Sequence, residues 1–384
     1  MVTKMLMARQ WTGGHSGTVL CVGAAGGPDG LLASGGEGGE VTIWSQEGGR
    51  LSTVRLQGQD DVTCLVFSSA SPGALYASHG GTVSTLDPRD LKAPVCELRV
   101  GEDEINALSL NDTGALLAAA DDSGSVCVVD LAEHQISRTL RRHTNICSSL
   151  AFRPNRPDSL VSAGLDMQVM LWNVNKARPL WTVNLQDTEE DRALSHTSGQ
   201  LLNPPLAHCI SVASCGNVVA CAAEDGRVHL LRVGAGSRPE SMGALRAHSL
   251  AVSQAHFLNF LSHPYWLATG GNDARVSLWD LGEAVGGTAS TQAPRRKRRG
   301  RRGAGAGAKA QADTPDEKAG GSTERASASS PGPSLSFDHG DKVNWLCPAA
   351  LKGEPCLLVA DQSSTITVYS LSGPRADQAN GVTL

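Results

Sequence analysis

The chain reads as an all-β protein, a ring of seven four-stranded blades or β-propeller. Three observations predict this. First, a small-residue turn followed by an alternating apolar strand recurs seven times: GGEVTIW ending at Trp44, GGTVSTL at Leu86, SGSVCVV at Val129, DMQVMLW at Trp172, DGRVHLL at Leu231, DARVSLW at Trp279 and SSTITVY at Tyr369. Second, the first three spacings between those ends are 42, 43 and 43 residues, the period of a four-stranded blade, whereas the later spacings of 59, 48 and 90 require insertions. Third, 43 glycines, 4% aromatic residues and 40% hydrophobic residues in 384 suit many short strands joined by tight turns around a sufficient core.

Each repeat has one internal order. A His or acidic residue opens it, an apolar strand follows, then a strand rich in small residues, then the signature strand. Repeat one runs from His15 through TVLCVGA and LLASGG to EVTIW. Repeat four has His143, CSSLAF, a turn at RPNRPDS, LVSAG and QVMLW, and repeat six has His248, VSQAHF, WLATGG and RVSLW. Period-two alternation makes these β-strands, because one face must bury against the next blade. The fourth strand of each unit carries the weakest signal. A ring must close, and the chain after Leu371 lacks a good outer strand, so Ala8 to Thr12 is expected to pair with the last blade.

The predicted boundaries follow. Blades one to six, with the closing strand, occupy 8–282, and blade seven occupies 335–371. Between them, 283–334 has no periodic apolar content and is expected to be disordered, as is the tail 372–384. A second polar insertion, 186–203, separates blades four and five. GGEGGE at Gly35–Glu40 has glycines at nucleotide-loop spacing but joins two strands, so it reads as a hairpin turn.

Gly14-His15, Leu278-Trp279-Asp280 and the small-residue second strands resemble the WD-repeat family across all seven repeats. The resemblance implies a hydrogen-bonded set of His, Ser or Thr, Asp and Trp within a blade. It falls on His143, Ser162, Asp166 and Trp172 in repeat four, and on His248, Thr269, Asp273 and Trp279 in repeat six. Buried, such groups need one another as partners. Repeat five keeps His208 and Asp225 but has Cys221 and Leu231. Repeat one keeps His15, Ser34 and Trp44 but has Gly38 at the carboxylate position. Repeats two, three and seven place Leu86, Val129 and Tyr369 where the Trp belongs, which predicts softer blades.

Composition narrows the function classes. Residues 285–334 carry a net charge of +6 within a total of −5, which leaves −11 for the remainder. An acidic body with one basic stretch argues against nucleic acid wrapping around the folded surface. Lys4 and Arg9 interrupt any leader-like stretch, and no apolar run approaches membrane-spanning length. The ten cysteines stand singly with no C-x-x-C pair, and read as reduced, buried side chains of a nuclear and cytoplasmic protein. The ligand spacing of a zinc site is absent, as are phosphate-loop, H-E-x-x-H and G-x-S-x-G signatures. A non-catalytic monomer without cofactor or small-molecule substrate is therefore expected.

Two features point to partners. Arg295, Arg296, Lys297, Arg298, Arg299, Arg301 and Arg302 form a basic run suited to nuclear import; a merely solvated linker is the competing reading. Leu86-Asp87-Pro88-Arg89 follows the signature strand of blade two. WD-repeat proteins that dock on the DDB-type adaptor of cullin-4 ubiquitin ligases carry Trp-Asp-x-Arg there. Asp87 and Arg89 match, Leu86 departs, and an ordinary Asp-Pro turn is the alternative. The resemblance thus implies a protein-interaction scaffold, most specifically a substrate receptor of such a ligase. The alternative is a nuclear scaffold for a chromatin or transcription complex.

Overall fold

The computed structural model describes residues 8–27, 30–71, 73–176, 178–187, 203–234, 239–286 and 332–372. They form seven antiparallel four-stranded sheets arranged as the blades of one ring. The inner strands of blades one to seven are Val19–Ala24, Val62–Phe67, Ile105–Leu110, Cys147–Arg153, Ala207–Val212, Val252–Phe257 and Trp345–Leu351. The second and third strands are buried almost throughout, because each is sandwiched between neighbouring blades. The outer strands lie at the periphery, and patterns such as the mostly exposed Arg50–Arg55 explain their weak sequence signal.

Polar side chains link adjacent blades along the inner strands. Six of these strands carry a register shift near their first residue. In four blades the extra residue reaches forward to a carbonyl of the next inner strand or its lead-in: Thr63 to Ile105, Asn106 to Cys147, Ser148 to Ala207 and Ser253 to Val343. The bulge aims one side chain sideways, where it satisfies a carbonyl the sheet leaves open. On the channel side, the Trp345 indole packs against the cores of three successive blade junctions and donates to the Val22 carbonyl at 2.9 Å.

The ring closes with the two ends of the described chain in one sheet. Ala8–Trp11 pairs antiparallel with Ile366–Ser370 as the outer strand of blade seven, from Ala8 opposite Tyr369 to Trp11 opposite Ile366. Trp11 is buried, its ring centred 5.8 Å from that of Trp44 in blade one. Gly48 lies under this indole at φ +90°, where a Cβ would stand 2.2 Å from the ring.

Two boundaries differ from the sequence reading. Leu335–Asp338, assigned there to blade seven, is the outer strand of blade six, pairing Arg275 with Asp338 through Leu278 with Leu335. A blade is filled from its inner edge outward, so the first strand after the long insertion completes the blade left open before it. The turn expected across RPNRPDS contracts to Pro154–Asn155, and the following strand extends over Arg156–Gly164. The insertion core and the tail beyond 372 lie outside the described residues, as do 188–202 of the blade four–five insertion.

All ten cysteines are free thiols, eight of them buried. Burial pushes the thiols of Cys64 and Cys209 up to about 11 and that of Cys347 up to about 12. No helix among the described residues is long and apolar enough to cross a membrane.

Closure by the N-terminal strand predicts that deleting residues 1–12 lowers the melting temperature. Trp11→Ala alone is expected to cost roughly 3–5 kcal/mol, as for a large aromatic removed from a core. Thermal unfolding measures both, and an unchanged melting temperature would remove the closing role.

Candidate functional site

The polar blade sets are assembled by strand register. In blade four, Trp172 lies opposite Leu160, which puts Ser162 within reach of the indole. Trp172 Nε1–H donates to Ser162 Oγ at 2.8 Å, and the same hydroxyl bonds His143 Nε2 at 2.8 Å. The other imidazole nitrogen, Nδ1, meets Asp166 at 2.9 and 3.0 Å, and Asp166 also accepts the Thr144 and Gln168 amides. Blade six repeats this: Trp279 donates to Thr269 at 3.1 Å, Thr269 bonds His248 at 2.9 Å, and His248 meets Asp273 at 2.8 Å. Burial opposes the Asp166 and Asp273 charges, but the hydrogen bonds from imidazole and backbone outweigh it and hold both below the usual carboxylate range.

Blade one brings to its set a residue the sequence reading did not select. Gly38 stands at the carboxylate position, and Glu40 supplies the carboxylate instead. It accepts the Ser16 amide at 2.8 Å and hydroxyl at 2.7 Å, pairs with Arg55, and lies 3.6 Å from His15 Nδ1. His15 Nε2 and Trp44 Nε1 meet on Ser34 Oγ at 2.5 and 2.7 Å. Blade seven forms a set of another composition: the Tyr369 hydroxyl bonds His339 Nδ1 at 2.8 Å, and His339 Nε2 meets Asp361 at 3.1 Å. Blade five does not join its two candidates. His208 pairs with Glu224 at 2.6 Å, and Asp225 with His229 at 3.3 Å.

Register accounts for the blades without Trp. Opposite Leu86, Val129, Leu231 and Tyr369 stand Leu75, Leu117, Val219 and Leu357. Two residues further along each second strand, where blades one, four and six have a hydroxyl, these four have Ala77, Ala119, Cys221 and Val359. Donor and acceptor are thus absent together. Removing both partners of a buried hydrogen bond is nearly neutral, whereas removing one leaves the other unsatisfied.

The rim site lies on the turn after the third strand of blade two. Leu86 is fully buried, filling the core position of the indole. Asp87 accepts the Arg89 backbone N–H at 2.9 Å, which closes the turn, and stands 3.8 Å from Arg89 Nε. The Arg89 side chain is 66% exposed. It lies on the wall of a groove of about 520 Å³ between blades one and two, lined by Ala25, Leu31, Phe67 and Pro88 among others. The candidate import residues Arg295 to Arg302 lie outside the described residues. No group of His, Cys, Asp or Glu among the described residues is arranged to hold a metal.

The single-partner cost predicts coupling. Ser162→Ala strands a buried indole N–H and an imidazole nitrogen and should cost about 1–3 kcal/mol. Trp172→Leu combined with Ser162→Ala should cost clearly less than the sum of the single changes. Strict additivity in a urea-unfolding cycle would refute the pairing.

Acid sensitivity follows from the imidazoles. Burial lowers the pKa of His15, His79 and His248, and lowers that of His256 to about 4. A histidine lowered in the folded state stabilises above its unfolded value near 6.5, and that stability is lost as pH falls through the folded value. The depressed carboxylates add a second loss below about pH 4. Urea midpoints should therefore decline from pH 6.5 toward 4, and His256→Gln should flatten that limb. A flat wild-type profile between pH 7 and 5 contradicts this.

The WD40 family model (WD domain, G-beta repeat) matches residues 134–173 and 239–280, each the outer strand of one blade and three strands of the next. The chain is 23% identical to WD repeat-containing protein 53 homolog of Dictyostelium discoideum over 93% of either chain. It is 27% identical to periodic tryptophan protein 2 homolog of the same organism, over 49% of this chain and 19% of that one. It is 23% identical to DNA damage-binding protein CMR1 of Vanderwaltozyma polyspora, over 55% of this chain and 43% of that one. The chain spans less than half the length of the latter two. The two matched repeats lead into blades four and six, which hold the complete His, hydroxyl, carboxylate and Trp sets; the chain is a seven-bladed propeller in which two repeats match the WD40 model.

Proposed function

We propose that this WD-repeat scaffold is a substrate receptor that docks on the DDB-type adaptor of a cullin-4 ubiquitin ligase through the rim of blade two. The carrying observation is Arg89, whose exposed guanidinium stands on the wall of an apolar-lined groove while Asp87 fixes its backbone. A planar, permanently charged fork beside apolar surface suits a partner's carboxylate or carbonyl oxygens. The departure at Leu86 does not count against this reading. The Trp of blades one, four and six is buried in the blade, so its replacement by a buried Leu leaves the residues a partner would touch unchanged. The remaining rim and channel mouth are then left to present a substrate.

Similarity to a protein named for DNA-damage binding favours a second reading, a nuclear scaffold for a chromatin complex without ligase role. One experiment separates the two. Affinity purification of the wild-type chain should recover the adaptor. Arg89→Ala should weaken that recovery at least tenfold, in line with an arginine hot spot worth about 2 kcal/mol. Its melting temperature should stay unchanged, since an exposed rim residue carries little stability. Adaptor recovery that survives Arg89→Ala rejects the site, and its absence from the wild type rejects the ligase reading.

A further inference from the structure

Blade four contains a pair of arginines whose placement costs stability in two ways at once. The hairpin turn at Pro154–Asn155, with Asn155 at φ +60°, sets Arg153 directly opposite Arg156 across the two strands. Like charges facing each other in an antiparallel pair destabilise it. Arg153 is only 5% exposed, so its charge is also withdrawn from water. Burying an ion is costly unless a counter-charge offsets it.

The offset is missing from the described chain. Arg153 donates Nε–H to the Gly216 carbonyl at 2.7 Å, Nη1–H to Ser159 Oγ at 3.3 Å and Nη2–H to Asn217 Oδ1 at 3.2 Å, all neutral acceptors. Arg156 donates Nη2–H to that same Asn217 oxygen, also at 3.2 Å, so the two cationic nitrogens are separated by at most twice that distance. Asp112 accepts the Asn155 amide, and Asp158 lies on the exposed start of the second strand. Among the described residues no carboxylate is within ion-pairing distance of either guanidinium. Burial, and then the Arg156 charge, push the Arg153 pKa down to about 10, which leaves it charged at neutral pH.

A bridge between blades explains the Nε–H bond to Gly216, but not a second arginine opposite the first. A guanidinium has five N–H donors, so both groups retain donors beyond those used here. Arg156 is exposed, and Asn217 holds the two forks together on the turns joining first and second strands of blades four and five. Given the alternation of strands, that is the same rim as Arg89. We propose that the Arg153–Arg156 pair is an oxyanion-binding site, which takes a carboxylate or phosphoryl group from a protein partner. The incoming oxygens supply the missing counter-charge, and bidentate geometry favours guanidinium over ammonium.

The test uses the full-length protein and inorganic phosphate as first probe. A ligand that binds only the folded state raises the melting temperature. Phosphate should raise it by several degrees above a sodium chloride control of equal ionic strength. Arg156→Ala, a substitution at an exposed position, should weaken phosphate at least tenfold, and Arg156→Lys should restore part of the effect. Arg89→Ala should leave the phosphate shift intact, which separates this site from the proposed adaptor groove. A glutamate-rich peptide and its phosphoserine counterpart then identify the source. Tighter binding of one or the other, lost in Arg156→Ala, upholds the site and names the group. Equal shifts in wild type and Arg156→Ala, or no shift with any probe, overturn the proposal.

Discussion

In blades one, four and six, an indole N–H from the third strand ends on a hydroxyl of the second, and that hydroxyl also holds an imidazole. The rest of each of these blades is arranged around this bond. It fixes the register of second and third strands, because only one alignment brings donor to acceptor. It fixes the opening turn, because the imidazole must reach the hydroxyl from one side and a carboxylate from the other. A buried N–H left without an acceptor is costly, so in these blades the bond is either made in full or dispensed with in full. The remaining four blades dispense with it, replacing donor and hydroxyl together by apolar or otherwise compatible residues. The hydrophobic blade cores persist in both cases, which is why the degenerate repeats are still blades.

Seven blades make a ring only if their junctions hold. Apolar packing between neighbouring sheets does most of this, supplemented by side-chain bridges from the inner-strand bulges to the next blade. The final junction has no continuous chain to secure it. There the N-terminal strand adds to blade seven, and Trp11 seals the seam against Trp44. The blade set and the closure thus share one indole, which couples the polar set of blade one to the integrity of the ring.

The features with functional meaning lie where the repeated scheme departs from itself. Arg89 follows the Leu that replaces a Trp, on an exposed turn beside a groove that the scheme does not require. Arg153 and Arg156 face one another with no carboxylate among the described residues paired to either, in a blade whose polar set is otherwise complete. Both interrupt a pattern whose stabilising logic is clear, and both stand on the same rim. The proposed adaptor groove and the proposed oxyanion site are therefore two parts of one candidate interaction face.

The period of the signature strand determined the number of blades, their order and their first three strands, because alternating burial writes itself into local sequence. It also determined the full sets of blades four and six, whose members fall at regular intervals. Tertiary structure alone decided which residues replace missing members. Glu40 reaches its place from two residues beyond the vacant position, and His339 joins Tyr369 to Asp361 only once the last blade is folded. His208 and Asp225 look like a pair in sequence, yet each has a nearer partner in space. Leu335–Asp338 belongs to the blade it completes, not to the repeat it precedes. The physical reason is common to all of these. Strand alternation is a local property, whereas a hydrogen bond or a counter-charge depends on distances that the chain sets only when distant segments pack together.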